Sequence, residues 1–103
     1  MTEKQRGTAD VTVIAWVDSP EAVAYLEKHF GQRARLSGTL EVEELVTQPA
    51  DTGGLYVWLR YTHTCKNKGN HHHDAQRFFA RAMDGTSHRS HLYETKLHEW
   101  DSL

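Results

Sequence analysis

One cysteine, Cys65, and two prolines, Pro20 and Pro49, occur among the 103 residues of this chain. A single cysteine cannot close an internal disulfide, so the fold has to rest on a hydrophobic core. The same scarcity suits a reducing, cytoplasmic setting. No apolar run approaches the ~20 residues that cross a bilayer, and polar residues 1–10 hold no signal-peptide core. Excess positive charge is missing too: 12 Lys and Arg stand against 14 Asp and Glu, a net −2 with histidines neutral. That acidic balance argues against a whole-surface match to nucleic acid. Neither a phosphate-binding glycine loop nor a paired-carboxylate signature is present. Cys65 stands before the lysine loop Lys66-Asn67-Lys68 with no sequence sign of an oxyanion hole. The absences together point away from an enzyme and from any cofactor.

What remains reads as one α+β domain over residues 10–103, after a flexible lead-in over residues 1–9. Residues 11–17 (VTVIAWV) are β-branched and alternate, the mark of a first strand. Asp18-Ser19-Pro20-Glu21 then starts a helix: Ser19 can cap it, Pro20 suits its first position and Glu21 complements its dipole. Ala22, Val23, Leu26 and Phe30 recur at helical spacing, and Gly31 reads as the stop. Strand pattern returns over residues 35–47, with a bulge expected near Glu43-Glu44 because Leu45 breaks the parity of Leu36, Leu40 and Val42. Turn formers fill residues 48–54. A third strand spans 55–63 and a second helix 70–84, whose stripe is Ala75, Phe78, Phe79, Ala82 and Met83, with Gly85 as its end. A last strand covers 90–100, with Tyr93, Thr95 and Leu97 on one parity and Leu92, Lys96, His98 and Trp100 on the other.

The order βαββαβ resembles a ferredoxin-like two-layer sandwich: an antiparallel four-stranded sheet, order 4-1-3-2, with two helices on one face. Two helices cover one face of such a sheet. The aliphatic parity of strands one and three belongs under them, so Ile14, Trp16, Tyr56 and Trp58 gather on the other face as one aromatic patch. Apolar area left in water is unfavourable by roughly 25 cal/mol per Å², so such a patch calls for a partner or a covering loop. Arg60 shares that face, and the carboxylates Glu41, Glu43 and Glu44 of the second strand flank it.

Residues 54–61 (GLYVWLRY) resemble the third-strand motif of the RNA-recognition family, with Tyr56, Trp58 and Tyr61 at its aromatic places. That resemblance implies single-stranded RNA stacked on the sheet. The basic residue and glycine that open the motif are replaced here by Gly54 and Leu55, and Thr12 stands where the companion motif has an aromatic. A second alternative is similar in size and topology only: a dimeric α/β-barrel enzyme, whose cavity Trp16, Tyr56, Trp58, Arg60 and His91 would line around an aromatic substrate.

Histidines are abundant, eight in all. Topology gathers His63, His71, His72, His73 and His98 near one edge of the sheet, with His88 and His91 at the other. A metal set there would draw on His63, Cys65, His71 and His73, though their spacing matches no closed zinc pattern and the overall reading is of no metal. An anion set would use Lys66 and Lys68 at the start of the second helix, joined by Arg33 and Arg35 from the start of the second strand. The function expected is a small acidic interaction module, a regulator or inhibitor. It would dock a protein, a nucleic-acid-binding one included, or a second copy of itself through the aromatic face.

Overall fold

The structure, a computed structural model, describes residues 6–37 and 41–102, with side chains described for all of these except residues 33–37 and 41. Its elements are β1 (Gly7–Val17), α1 (Pro20–Ser37), β2 (Glu41–Pro49), β3 (Leu55–Cys65), α2 (His71–Met83) and β4 (Ser90–Ser102), with a 3-10 turn at Lys68–Asn70 before α2. All strand pairs are antiparallel, in the order β2-β3-β1-β4. This is the expected 4-1-3-2 sheet named from its other edge, and the chain is an α+β sandwich.

Strand β1 begins at Gly7, four residues ahead of the β-branched run. Its inward residues Ala9, Val11, Val13, Ala15 and Val17 are all buried, opposite His63, Tyr61, Leu59, Val57 and Leu55 of β3. Helix α1 starts as its capping residues dictate, with Ser19 Oγ accepting the amide of Ala22 at 3.3 Å. Ala22, Leu26 and Phe30 are its buried stripe. Ala75, Phe78, Phe79 and Ala82 form that of α2. Phe30 meets Tyr61 at 5.0 Å and Phe78 at 6.0 Å between ring centroids, so one aromatic cluster ties both helices to the middle of the sheet. Gly85, at φ +78°, ends α2 as expected, and Thr86 N–H donates to Met83 O at 3.2 Å.

Gly31 does not end α1. A glycine stops a helix by turning left-handed, and Gly31 is not among the described glycines with positive φ. The residues after it, Gln32-Arg33-Ala34-Arg35-Leu36, are good helix formers, and the helix runs on to Ser37. Arg33 and Arg35 therefore stand on α1 and not at the start of β2, which opens at Glu41. The side chains of Arg33, Arg35 and Glu41 lie outside the described residues, as do residues 38–40.

The bulge expected in β2 is present, as a register shift between Val42 and Glu44. Two more interrupt the β1–β4 ladder, at Asp10/Val11 and Ile14/Ala15. They rephase β4, because each extra residue flips the faces of those that follow. Leu92, Thr95, Leu97 and Trp100 pair with Ala15, Val13, Val11 and Ala9, the helix-side parity of β1. Leu92 and Trp100 thus join Thr95 and Leu97 on the helix side, parted from the Lys96 and His98 with which alternation groups them, and Tyr93 leaves the company of Thr95 and Leu97.

Candidate functional site

Two groupings carry chemistry. The first is the sheet face turned away from the helices. Ile14 is directly opposite Trp58, and Trp16 opposite Tyr56, so the four expected residues are neighbours across the central β1–β3 pair. All four are half-buried. The rings of Tyr56 and Trp58 lie 6.5 Å apart. Tyr93 adds itself from β4, 6.3 Å from Tyr56 and 4.5 Å from His91. Val46, opposite Trp58 on β2, completes the patch. Tyr93 and Val46 are 56% and 47% exposed, so the patch reaches water at both flanks. Sequence alternation missed Tyr93 because its place depends on a bulge. The Trp16 indole is fixed by the β2–β3 turn, where its Nε1–H donates to Gly53 O at 2.9 Å. That turn touches one ring and leaves the patch open.

Beyond the aromatics the same face turns polar. The Arg60 guanidinium donates twice to Asp10, at 2.8 and 3.0 Å, holding that carboxyl below the usual carboxylate range. Glu43 and Glu44 approach Arg60 from β2 and bear on its charge. Glu94, Lys96 and Glu99 oppose Ile14, Thr12 and Asp10 from β4. His98 meets Thr12 Oγ1 at 2.7 Å on this face, on the other side of the sheet from buried His63. His98 therefore does not join the other histidines of its edge. Among the described residues, the charged rim has more carboxylates than cations.

The second grouping lies inside the domain. His63 and Cys65, two apart on β3, both point beneath α2, and Asp74 of α2 comes down to them. Their relative exposures are 3%, 1% and 7%. Cys65 Sγ lies 3.1 Å from His63 Nε2, which lies 3.8 Å from Asp74 Oδ2. Asp74 Oδ1 accepts from Arg77 at 3.4 Å. Burial pushes the Cys65 thiol up to about 12, with the Asp74 charge adding to the shift. Tyr61, fully buried, lies 5.6 Å from His63 between tilted rings, and its hydroxyl is raised well above the ordinary tyrosine value, by burial first and then by Cys65 and Asp74.

Of the residues considered for a metal, His63 and Cys65 come together, whereas His71 and His73 do not join them. His71 Nδ1 turns to Lys68 O at 2.8 Å, and His72 turns to Thr95 and Gln76. His73 lines a polar cleft of about 440 Å³ with Thr64, Lys66, Asn70, Asp74 and Arg77. Lys66 of the expected anion set borders this cleft, but Lys68 does not line it. Asp74 was missed, although its signal is legible: positions 74, 78 and 82 share one helical stripe, and a carboxylate stands on it with Phe78 and Ala82. His88 sits at the far edge as expected, 3.0 Å from Asp18, whose carboxylate also accepts the Arg89 amide at 2.8 Å.

Among the described residues, no helix is long and apolar enough to cross a membrane. No protein-family model matches the chain. No curated protein matches it either. Among solved structures it is similar to the de novo designed protein Foldit4, with a TM-score of 0.55 and 18% identity over 89% of this chain and 99% of that one. It is also similar to the C-terminal domain of the MgtC protein from Mycobacterium tuberculosis, at a TM-score of 0.48 and 18% identity, covering 99% of this chain and 93% of that one. At such identity the designed protein's likeness speaks to the fold alone, and it agrees with the α+β sandwich.

Proposed function

We propose that this chain is a non-enzymatic interaction module that docks a protein partner on its open sheet face. One observation carries the reading: a contiguous aromatic patch, Trp16, Tyr56, Trp58 and Tyr93, is bordered by Asp10, Glu43, Glu44, Glu94 and Glu99. Large rings on a rigid sheet are effective anchors, since little side-chain freedom is lost when they are covered. The rim selects the occupant. A basic protein segment, with an apolar residue between Lys or Arg neighbours, satisfies rings and carboxylates together. A second copy of the chain would bring like charges toward each other, and RNA would set phosphates beside carboxylates. A module of this kind acts as a regulator or inhibitor by occupying another protein's surface.

Peptides selected from a random display library against the whole chain test this, with affinities read by isothermal titration calorimetry. The expected peptides carry an apolar residue flanked by Lys or Arg, lose at least tenfold in affinity against Trp58→Ala, and weaken with salt. Affinity unchanged in a folded Trp16→Ala/Trp58→Ala variant overturns the reading. A Trp58-dependent dimer in light scattering would replace it with self-association, and Trp58-dependent binding of oligo-U would replace it with RNA.

A further inference from the structure

We propose that His63, Cys65 and Asp74 bind one divalent metal ion of the zinc type, with a fourth coordination position reached from the polar cleft beside α2. The argument begins with donor chemistry. An imidazole nitrogen, a thiol sulfur and a carboxylate oxygen are the three protein donors that zinc accepts, and three protein ligands with one position left over is the open form of such a site. The three ligand atoms all lie within 4.8 Å of one another, and all three residues are buried. Bonds of about 2.0–2.3 Å in a tetrahedron separate nitrogen from oxygen by about 3.3–3.4 Å and sulfur from either by about 3.6 Å. The sulfur–nitrogen distance of 3.1 Å and nitrogen–oxygen distance of 3.8 Å fall on either side of those values. Shifts of about half an ångström in these two separations, with the sulfur–oxygen one already within 4.8 Å, admit the ion.

Charge agrees with distance. A buried carboxylate needs compensation, and Arg77 reaches Asp74 only from a half-exposed position, at 3.4 Å. A dication held by one thiolate and one carboxylate leaves the buried centre neutral. As the sulfur–metal bond forms, the Cys65 proton leaves to solvent, so each ion bound releases one proton there. Arg77 takes Oδ1 of Asp74, which leaves Oδ2 directed at His63, the orientation that outer partners give to a ligating carboxylate.

A second, independent feature points to an occupant. The Tyr61 hydroxyl is fully buried without a hydrogen-bond partner among the described residues, in a place where Cys65 and Asp74 both act on it. An unmatched buried hydroxyl is unfavourable by about 1–3 kcal/mol. It can donate to the thiolate or to a group on the metal's fourth position. Asp74 belongs both to the cluster and to the wall of the 440 Å³ cleft, which gives the ion its route from solvent.

The test is a titration of the chelator-treated full chain with cobalt(II), followed by absorption. One equivalent should bring up intense tetrahedral visible bands and a thiolate-to-cobalt charge-transfer band, both displaced by zinc. Cys65→Ser should abolish the charge-transfer band, and Asp74→Asn should weaken binding at least tenfold. His71→Ala/His72→Ala/His73→Ala should titrate like the parent. No thiolate band in the parent chain overturns the proposal, as does a band lost in the triple-histidine variant and kept in Cys65→Ser. Should the serine variant fail to fold, cadmium-113 NMR of the parent decides: a sulfur-coordinated resonance supports the site and a nitrogen/oxygen-only one overturns it. Trp58→Ala should leave the titration unchanged, so failure of the sheet-face reading and failure of this one are separable.

Discussion

Trp16 and Gly54 are locked together: a Cβ at residue 54 would meet the Trp16 ring at 2.8 Å and the carbonyl oxygen of Val17 at 2.3 Å. Gly54 also stands at φ +78°, where a side chain is strained in any surroundings. The turn between β2 and β3 thereby sets the position of one ring of the open face.

Gly54→Ala should destabilise the fold by at least about 3 kcal/mol, combining backbone strain with a clash against main chain. Gly53→Ala, at φ +100° but with nothing within 4 Å of its added Cβ, should lose only about 1–2 kcal/mol. Urea unfolding of the two variants separates these contributions; equal losses would mean that the Trp16 contact contributes nothing.

Gly31 gives a prediction of opposite sign. It sits inside α1, and an added Cβ there meets nothing within 4 Å. Gly31→Ala should raise stability by about 0.5–1 kcal/mol, through helix propensity and a less free unfolded chain. An upward shift of the thermal midpoint checks it, and a downward shift would place the true end of α1 at this residue.

The Asp10–Arg60 pair predicts a pH dependence. Asp10 titrates below its ordinary 3.8 in the folded chain, chiefly because Arg60 donates to it. A carboxyl depressed by folding contributes stability above its unfolded value and loses that contribution as the pH falls through the folded one. A double-mutant cycle with Asp10→Asn and Arg60→Gln should show favourable coupling at pH 7 that fades below about pH 4. Coupling that is constant down to pH 2 would refute it.

Cys65 should be a slow nucleophile. Burial holds its thiol near 12, so almost no thiolate exists at neutral pH in the metal-free chain. Iodoacetamide should label the native chain at least a hundredfold more slowly than the urea-unfolded one, where the thiol returns to its ordinary value. Comparable rates would place the sulfur outside the core.

The parts that could be read from sequence are those set by local chemistry. Ser19 and Pro20 start α1, Gly85 ends α2, and strict alternation in β1 and β3 places Ile14, Trp16, Tyr56 and Trp58 on one face. The misreadings have physical reasons. Gly31 resembled a stop because glycine allows a left-handed turn, yet the permission went unused beside strong helix formers. Alternation groups Tyr93 with Thr95 and Leu97, and Trp100 with Lys96 and His98, because a bulge leaves no mark in it. Tyr61, third aromatic of the RNA-recognition resemblance, belongs to the core instead of the platform. The partnership of Asp74 with His63 and Cys65 is a tertiary fact: residues nine or more apart meet only once α2 lies across β3.

The two bulges on β4 have a further effect. β4 is a sheet edge, 13 residues long, and such an edge offers a row of unpaired amides and carbonyls to any passing strand. A chain adding itself there would fall out of step twice within one strand, and would meet Glu94, Lys96, Glu99 and Asp101 as it tried to recover. The irregularity that hid Tyr93 from a sequence reading is thus also a guard against fibre-like stacking.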